Sequence, residues 1–220
     1  RLRLPIRAIE LLDEAAIEAL RKEGRKLDGA SDGARAVLLV ELEGEEMELD
    51  HAIERLAASV EALAHEVIVA RNERLRLRLW QVRSEASRAL RRSARFKLSE
   101  DVVVPRPQLG ALLEVCQRIK ESHKVRIAAY GHAGDANLHV NFLWDEPSDR
   151  ARVEMAIAEL MAQVIWLGGG LSGEHGIGRA KVGFVGKGGD AQRLRWLREF
   201  KRLFDPAWIM NPGKVIPRSD

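Results

Sequence analysis

The stretch from residue 125 to residue 143 constrains the fold of this chain more than any other. Two apolar runs of β character, VRIAAY (125–130) and LHVNFL (138–143), flank the polar loop GHAGDAN (131–137). So short a connection makes the two strands neighbours, and a turn at 133–136 carries His132, at the end of the first, towards His139, early in the second. Around this pair, short β-like runs alternate irregularly with longer stretches of helical period. That order favours an α+β fold, a mainly antiparallel sheet covered by helices, over a doubly wound parallel sheet.

Residues 7–11 read as a strand, and Asp13 is a carboxylate N-cap for a helix running to about Lys22. Residues 26–33 read as a loop, 36–42 as a buried strand and 67–70 as another short strand. Between them, 45–64 has helical period, with Leu49, Ile53, Leu56, Val60 and Leu63 on one side. A long arginine-rich helix follows over 73–94, carrying Leu75, Leu79, Val82, Ala86 and Leu90 inward with Trp80 beside them. Residues 101–104 read as a strand closed by Pro105. The next helix spans 107–123 with proline in its first turn, and Ser148 is expected to cap another that runs to about Leu167. Residues 1–204 then form one domain, and Pro206, Pro212 and Pro217 make 205–220 an extended tail.

Composition excludes several classes of function. With 220 residues and 46% hydrophobic content the chain supports a proper core. The 36 basic and 33 acidic residues leave a formal charge of only +3, which gives nucleic-acid binding little support. Most of the basic excess sits between Arg71 and Arg95 and points in several directions on a helix, as a solvated face does. Cys116 is the single cysteine, so no internal disulfide forms, and its setting LLEVCQRI is that of inert core in a reducing compartment. No apolar run reaches the roughly 20 residues of a membrane span, and no secretory leader is visible. A cytoplasmic location is therefore expected, with peripheral attachment to the inner membrane left open for an intact enzyme. The opening RLRLPIRAIELLD begins on Arg1 and reads as mid-protein sequence, the expectation for a fragment.

Histidine, acid and glycine concentrate in two segments, 130–141 and 168–178. His132 and His139 with Glu174 as third ligand make a two-imidazole, one-carboxylate set suited to zinc or another divalent ion, with a position left for substrate. Ordinary hydrogen bonding of isolated histidines is the competing account. Six glycines between 168 and 178 favour a site, because so dense a run implies backbone lying close to a ligand or at positive φ. The run is no dinucleotide fingerprint, for no acidic residue follows at the proper distance within a βαβ unit. His175 adjoins Glu174, and neighbours in extended chain point opposite ways, so one holds metal while the other faces substrate as a general base; a structural hydrogen bond is the alternative. Arg83 can grip a carboxylate with two parallel hydrogen bonds, although on a helix with this many arginines most are solvated.

The segments GHAGDANLH (131–139), SGEHGIG (172–178) and NPGK (211–214), in this order, resemble the C-terminal domain of FAD-linked oxidases of the glycolate oxidase, D-lactate dehydrogenase and D-2-hydroxyglutarate dehydrogenase type. The likeness extends to LWQVR (79–83) and EDVVVP (100–105). It implies metal ligation by His132, His139 and Glu174, a catalytic base at His175, substrate contacts from Asn141 and Arg83, and a cofactor-side role for Asn211 in the third motif. Lys97 is a further substrate contact, with a spacing to Asp101 that differs from the family lysine. Ala136 stands where the family usually has glycine.

The same resemblance implies FAD, held mainly by a flavin-binding domain of the same protein on which the tail 205–220 packs, and a divalent metal, zinc first with manganese or iron as alternatives. The substrate would be a small D-2-hydroxy acid, the fragment alone would not turn over, the electron acceptor is unspecified and a homodimer is left open. Two other readings need no flavin: a stand-alone metal-dependent hydrolase, and a non-catalytic acid-binding module.

Overall fold

The computed structural model describes residues 4–24, 33–187 and 191–217. Five strands, β1 (Ile6–Asp13), β2 (Ala36–Leu42), β3 (Phe96–Val103), β4 (Arg126–His132) and β5 (Asn137–Trp144), form one sheet in the order β2-β1-β4-β5-β3. Every neighbouring pair is antiparallel. The helices are α1 (Glu14–Lys22), α2 (Glu46–Val60), α3 (Glu73–Arg92), α4 (Leu109–His123), α5 (Arg150–Trp166) and α6 (Ala191–Phe204). The architecture is α+β, as the sequence predicts, and among the described residues no helix is long and apolar enough to cross a membrane.

Successive side chains of a strand point to opposite faces, so the central strands feed two cores. On one face Leu11, Val102, Leu138, Val140 and Phe142 pack with Leu112, Val115 and Ile119 of α4 and Val153, Leu160 and Met161 of α5. On the other, Leu12, Ala128, Tyr130 and Leu143 pack under Ile17 and Leu20 of α1 and Ala86, Ala89 and Leu90 of α3. Asp13 links sheet to helix: its Oδ1 accepts from Ala16 N at 2.8 Å, capping α1, and its Oδ2 accepts from Ala129 N of β4 at 2.6 Å. Asn72 caps α3 in the same way through Leu75 N.

Several sequence expectations are corrected. Strand β2 is the sheet edge and none of its residues is buried, because it has β1 on one side and solvent on the other; Leu38 is 60% exposed. Residues 67–70 are coil with no strand partner among the described residues. Helix α2 ends at Val60 and buries only Ala52, leaving Leu63 exposed. Strand β3 begins at Phe96, its polar residues carried by full pairing with β5. Ser148 lies within a 3₁₀ turn, Pro147–Asp149, and no side chain caps α5. Pro107 sits in a similar turn ahead of α4. The expected loop 26–33 lies outside the described residues apart from Gly33. Residues 205–217, by contrast, form neither helix nor strand, as expected, and Val215 N donates to Gly178 O at 2.8 Å.

Two outcomes follow. Asp13→Ala removes both acceptors and should cost about 2 kcal/mol in urea unfolding, with Asp13→Asn costing less because one acceptor survives. Cys116 is buried and its thiol is pushed up to about 12 by that burial. A chromogenic disulfide reagent should therefore ignore the native protein and titrate one thiol after denaturation; fast reaction in the native state would overturn the placement.

Candidate metal and substrate site

The face of the sheet that packs under α1 and α3 is apolar in one part and polar in another. Period two puts Glu10 of β1, His132 of β4, Asn137, His139 and Asn141 of β5, and Lys97 and Asp101 of β3 on that face, beside Leu12, Tyr130 and Leu143. The register sets Glu10 opposite His132, and His139 between Tyr130 and Asp101. The His132 and His139 rings meet edge to face at 5.5 Å, and Tyr130 lies 5.3 Å from His139.

Residues 168–178 fold over this polar half. Gly170 bridges to Val103 of β3, and the loop is held by one carboxylate oxygen: Asp101 Oδ2 accepts from Ser172 Oγ (2.8 Å), Glu174 N (2.9 Å) and His175 N (2.8 Å). The Ser172 hydroxyl in turn accepts from Gly176 N. Lys181, itself buried, donates to the carbonyls of Asp101 and Leu171 and sits 3.5 Å from Glu100. Burial by itself would raise the Asp101 pKa, but the His175 and Glu174 amides, the Ser172 hydroxyl and the Lys181 charge outweigh it and hold the carboxyl at about 2. Close approach explains two of the glycines. A Cβ on Gly173 would lie 2.2 Å from the Asn137 amide nitrogen, and one on Gly169 2.3 Å from the Val103 carbonyl oxygen. Ala136 takes φ +54° in the hairpin turn, a left-handed conformation that favours glycine.

Glu174 Oε1 is the centre of a ring of imidazoles: His132 Nε2 at 3.6 Å, His139 Nε2 at 3.4 Å and His175 Nε2 at 3.6 Å. These separations are long for hydrogen bonds. The His139 separation equals the edge of a tetrahedron with 2.0–2.1 Å metal bonds, about 3.3–3.4 Å, and the His132 separation exceeds it by about 0.2 Å. Among the described residues, the donor sets that close within 4.8 Å are His132–His139–Glu174 and Asp101–His139–His175, so His175 stands to one side of the first set. Burial lowers the pKa of His139, favouring the neutral, ligating form. The His175 ring stacks on His139 at 5.2 Å and its side chain is 60% exposed.

Arg83 reaches the cluster from α3. Its Nε donates to Glu10 Oε2 at 2.5 Å, its guanidinium lies over the Tyr130 ring, and Glu10 Oε1 meets His132 Nδ1 at 2.6 Å. The structure thus brings His132, His139, Glu174, His175 and Arg83 to one place. Asn141 lies beneath, fully buried, its Nδ2 donating to Ala128 O and His139 O and its Oδ1 without a partner among the described residues. Lys97 donates to Ser87 of α3, and Asn211 accepts from Lys214; no contact among the described residues joins either to the cluster. Sequence reasoning missed Glu10, Asp101, Asn137 and Lys181. An acid set between apolar neighbours, Ile9 and Leu11, was a signal that Glu10 is buried, though not of its partners.

The comparisons agree with this architecture. The chain is 34% identical over 212 residues to the glycolate oxidase subunit GlcD of Escherichia coli (strain K12), covering 95% of the chain and 42% of the relative. It is 31% identical over 215 residues to the GlcD of Bacillus subtilis, covering 96% and 45%, and 31% identical over 196 residues to a D-lactate dehydrogenase of Anaerostipes hadrus, covering 87% and 41%. The chain thus spans less than half the length of these relatives. In fold it is similar to 4-ethylphenol oxidase from Gulosibacter chungangensis (TM-score 0.65, 18% identity, 96% of this chain and 48% of that one) and to p-cresol methylhydroxylase (TM-score 0.63, 14% identity, 96% and 47%). Residues 1–215 match the family described as FAD linked oxidases, C-terminal domain, and the chain belongs to that family.

Proposed function

We propose that this chain is the substrate- and metal-binding domain of a flavin-dependent dehydrogenase that oxidises a small D-2-hydroxy acid, of the lactate, glycolate or 2-hydroxyglutarate class, to the 2-oxo acid. The observation that carries the reading is the convergence of three imidazole nitrogens on one carboxylate oxygen, beside an arginine poised for an anion. Relatives named for glycolate oxidase and D-lactate dehydrogenase supply the reaction class.

His132, His139 and Glu174 are the proposed ligands of a divalent ion, zinc first and manganese or iron next. Such an ion supplies Lewis acidity and a template for a carboxylate and its neighbouring hydroxyl. The flavin, bound mainly by the rest of the protein, supplies the acceptor for the substrate's α-hydrogen. Arg83, held through Nε, presents its terminal nitrogens to the substrate carboxylate. His175 takes the hydroxyl proton on Nε2; its place outside the His132 set and its exposure suit a proton carrier better than a fourth ligand. Asn141 offers its unpaired Oδ1 as an acceptor, and Lys97 remains a candidate second cation for a diacid. Residues 1–204 are the proposed domain. The tail 205–217, with Asn211 on the cofactor side, is proposed to pack on the flavin domain together with α6, whose Trp196, Phe200, Leu203 and Phe204 form an exposed apolar stripe at helical spacing continued by Ile209 and Met210.

Zinc titration tests the ligand assignment. His132→Ala, His139→Ala and Glu174→Ala should each weaken binding by more than about a hundredfold, whereas His175→Ala should stay within about tenfold of wild type. An equal loss at His175 would make it a ligand. In the full-length flavoprotein, His175→Ala should slow flavin reduction by roughly 10²–10⁴-fold, and an unchanged rate would overturn its role as base. Chelator-sensitive hydrolysis of esters or phosphoesters by this chain alone would favour the hydrolase instead.

A further inference from the structure

We infer that Glu10 is a positioning residue that aligns a metal-binding imidazole and the substrate-binding arginine at the same time, an inference that rests on the reading above. Its two oxygens do different work. Oε1 lies 2.6 Å from His132 Nδ1 and Oε2 lies 2.5 Å from Arg83 Nε, while the carboxylate itself is 6% exposed. A carboxylate only accepts hydrogen bonds when ionised, so Glu10 fixes the proton of His132 on Nδ1 and leaves the Nε2 lone pair free. Nε2 is the nitrogen that faces Glu174 and, across it, His139 and His175. Without that partner the imidazole has no reason to hold this tautomer or this ring orientation, and a second carboxylate of this kind also raises the basicity of a ligating ring.

On the other oxygen, Arg83 is bound through the inner nitrogen of its fork, and the Tyr130 ring supports the guanidinium plane at 4.9 Å. Among the described residues its two terminal nitrogens have no hydrogen-bond partner, so the end that forms paired bonds with a carboxylate is kept for a ligand. The salt bridge is shielded, with Arg83 14% exposed, and that shielding gives the pair a fixed geometry where a surface ion pair would be mobile. Glu10 owes its reach over both groups to backbone pairing, since it is the direct cross-strand neighbour of His132 and α3 crosses above it. The consequence is a mechanical link: the distance between the imidazole on the metal side and the guanidinium on the substrate side is set by one carboxylate.

The test uses zinc as probe, read by competition with a chromophoric chelator, together with imidazole ¹⁵N shifts. Glu10→Ala should weaken zinc binding about 10–100-fold, and Glu10→Gln, which keeps one acceptor, should recover part of the loss. In the zinc-free protein, above the histidine titration range, His132 should be protonated on Nδ1 in wild type and shift towards the Nε2–H form in Glu10→Ala, a change that general loosening of the fold does not produce. In the full-length enzyme Glu10→Gln should raise KM for the hydroxy acid more than it lowers kcat. Wild-type zinc affinity together with an unmoved His132 tautomer in Glu10→Ala would overturn the role of Glu10 and leave the ligand assignment standing. Failure of the wild-type protein to bind zinc would instead strike the reading on which the proposal rests. If Glu10→Ala does not fold, Glu10→Gln decides by the same tautomer measurement, because its amide satisfies only one of the two donors.

Discussion

The register between β4 and β5 is the constraint from which the site follows. Side chains alternate with period two, so His132, His139 and Asn141 share a face only because His132 pairs with Asn137 and Tyr130 with His139. A slip of one residue would send His139 into the core beneath α4 and α5 and bring Val140 or Leu138 to the surface, at a cost of several buried aliphatic side chains. The apolar residues on the far side, Leu138, Val140 and Phe142, therefore fix where the imidazoles stand, although none of them touches the site. Neighbours complete the arrangement from both flanks: β1 contributes Glu10 opposite His132, and β3 contributes Asp101 opposite His139.

A glycine-rich segment has little reason to hold one shape by itself, because its conformational freedom is large. Here the segment is shaped around groups already fixed by the sheet. Asp101 gathers the Ser172 hydroxyl and two consecutive amides, Lys181 ties Leu171 and Asp101 through their carbonyls, and Asn137 fills the space where a side chain at 173 would stand. The result carries Glu174 and His175 to the edge of the two sheet imidazoles. Buried polar groups of this sort are costly when unpaired, and one Asp101 oxygen is saturated in placing the loop while Asp101 Oδ1 and Asn137 Oδ1 have no partner among the described residues.

The hairpin, the capped start of α1, the long helix α3 and the two chemical segments were legible in the sequence because each is a local signal: a period, a cap, a dense cluster of unusual residues. Strand β2 was legible as a strand but not as an edge, since the apolar run VLLV is compatible with either position. Residues 67–70 were misread for the same reason; a short β-branched run says nothing about whether a partner strand is present. The roles of Glu10 and Asp101 were invisible for a deeper reason. Their roles depend on which strands lie side by side, and no local pattern in IRAIELLD or SEDVVVP carries that pairing.

Charge supplies the last step. Glu10 and Arg83 cancel, Lys181 stands beside Glu100, and the Asp101 carboxylate is stabilised by three hydrogen-bond donors, so Glu174, which faces only imidazoles, is the carboxylate of the cluster with no cation beside it among the described residues. Ligation requires both imidazoles neutral, a form that burial favours at His139, and the donor set then carries a formal charge of −1. A divalent cation added to it leaves +1, which a single carboxylate neutralises, while a surplus negative charge in so enclosed a site is costly. For the metal and substrate class proposed above, that arithmetic makes a monoacid the better match to the groups within the cluster itself. A diacid needs one further cation, and Lys97, on the same face of β3 two alternations from Asp101, would have to leave its bond to Ser87 to provide it.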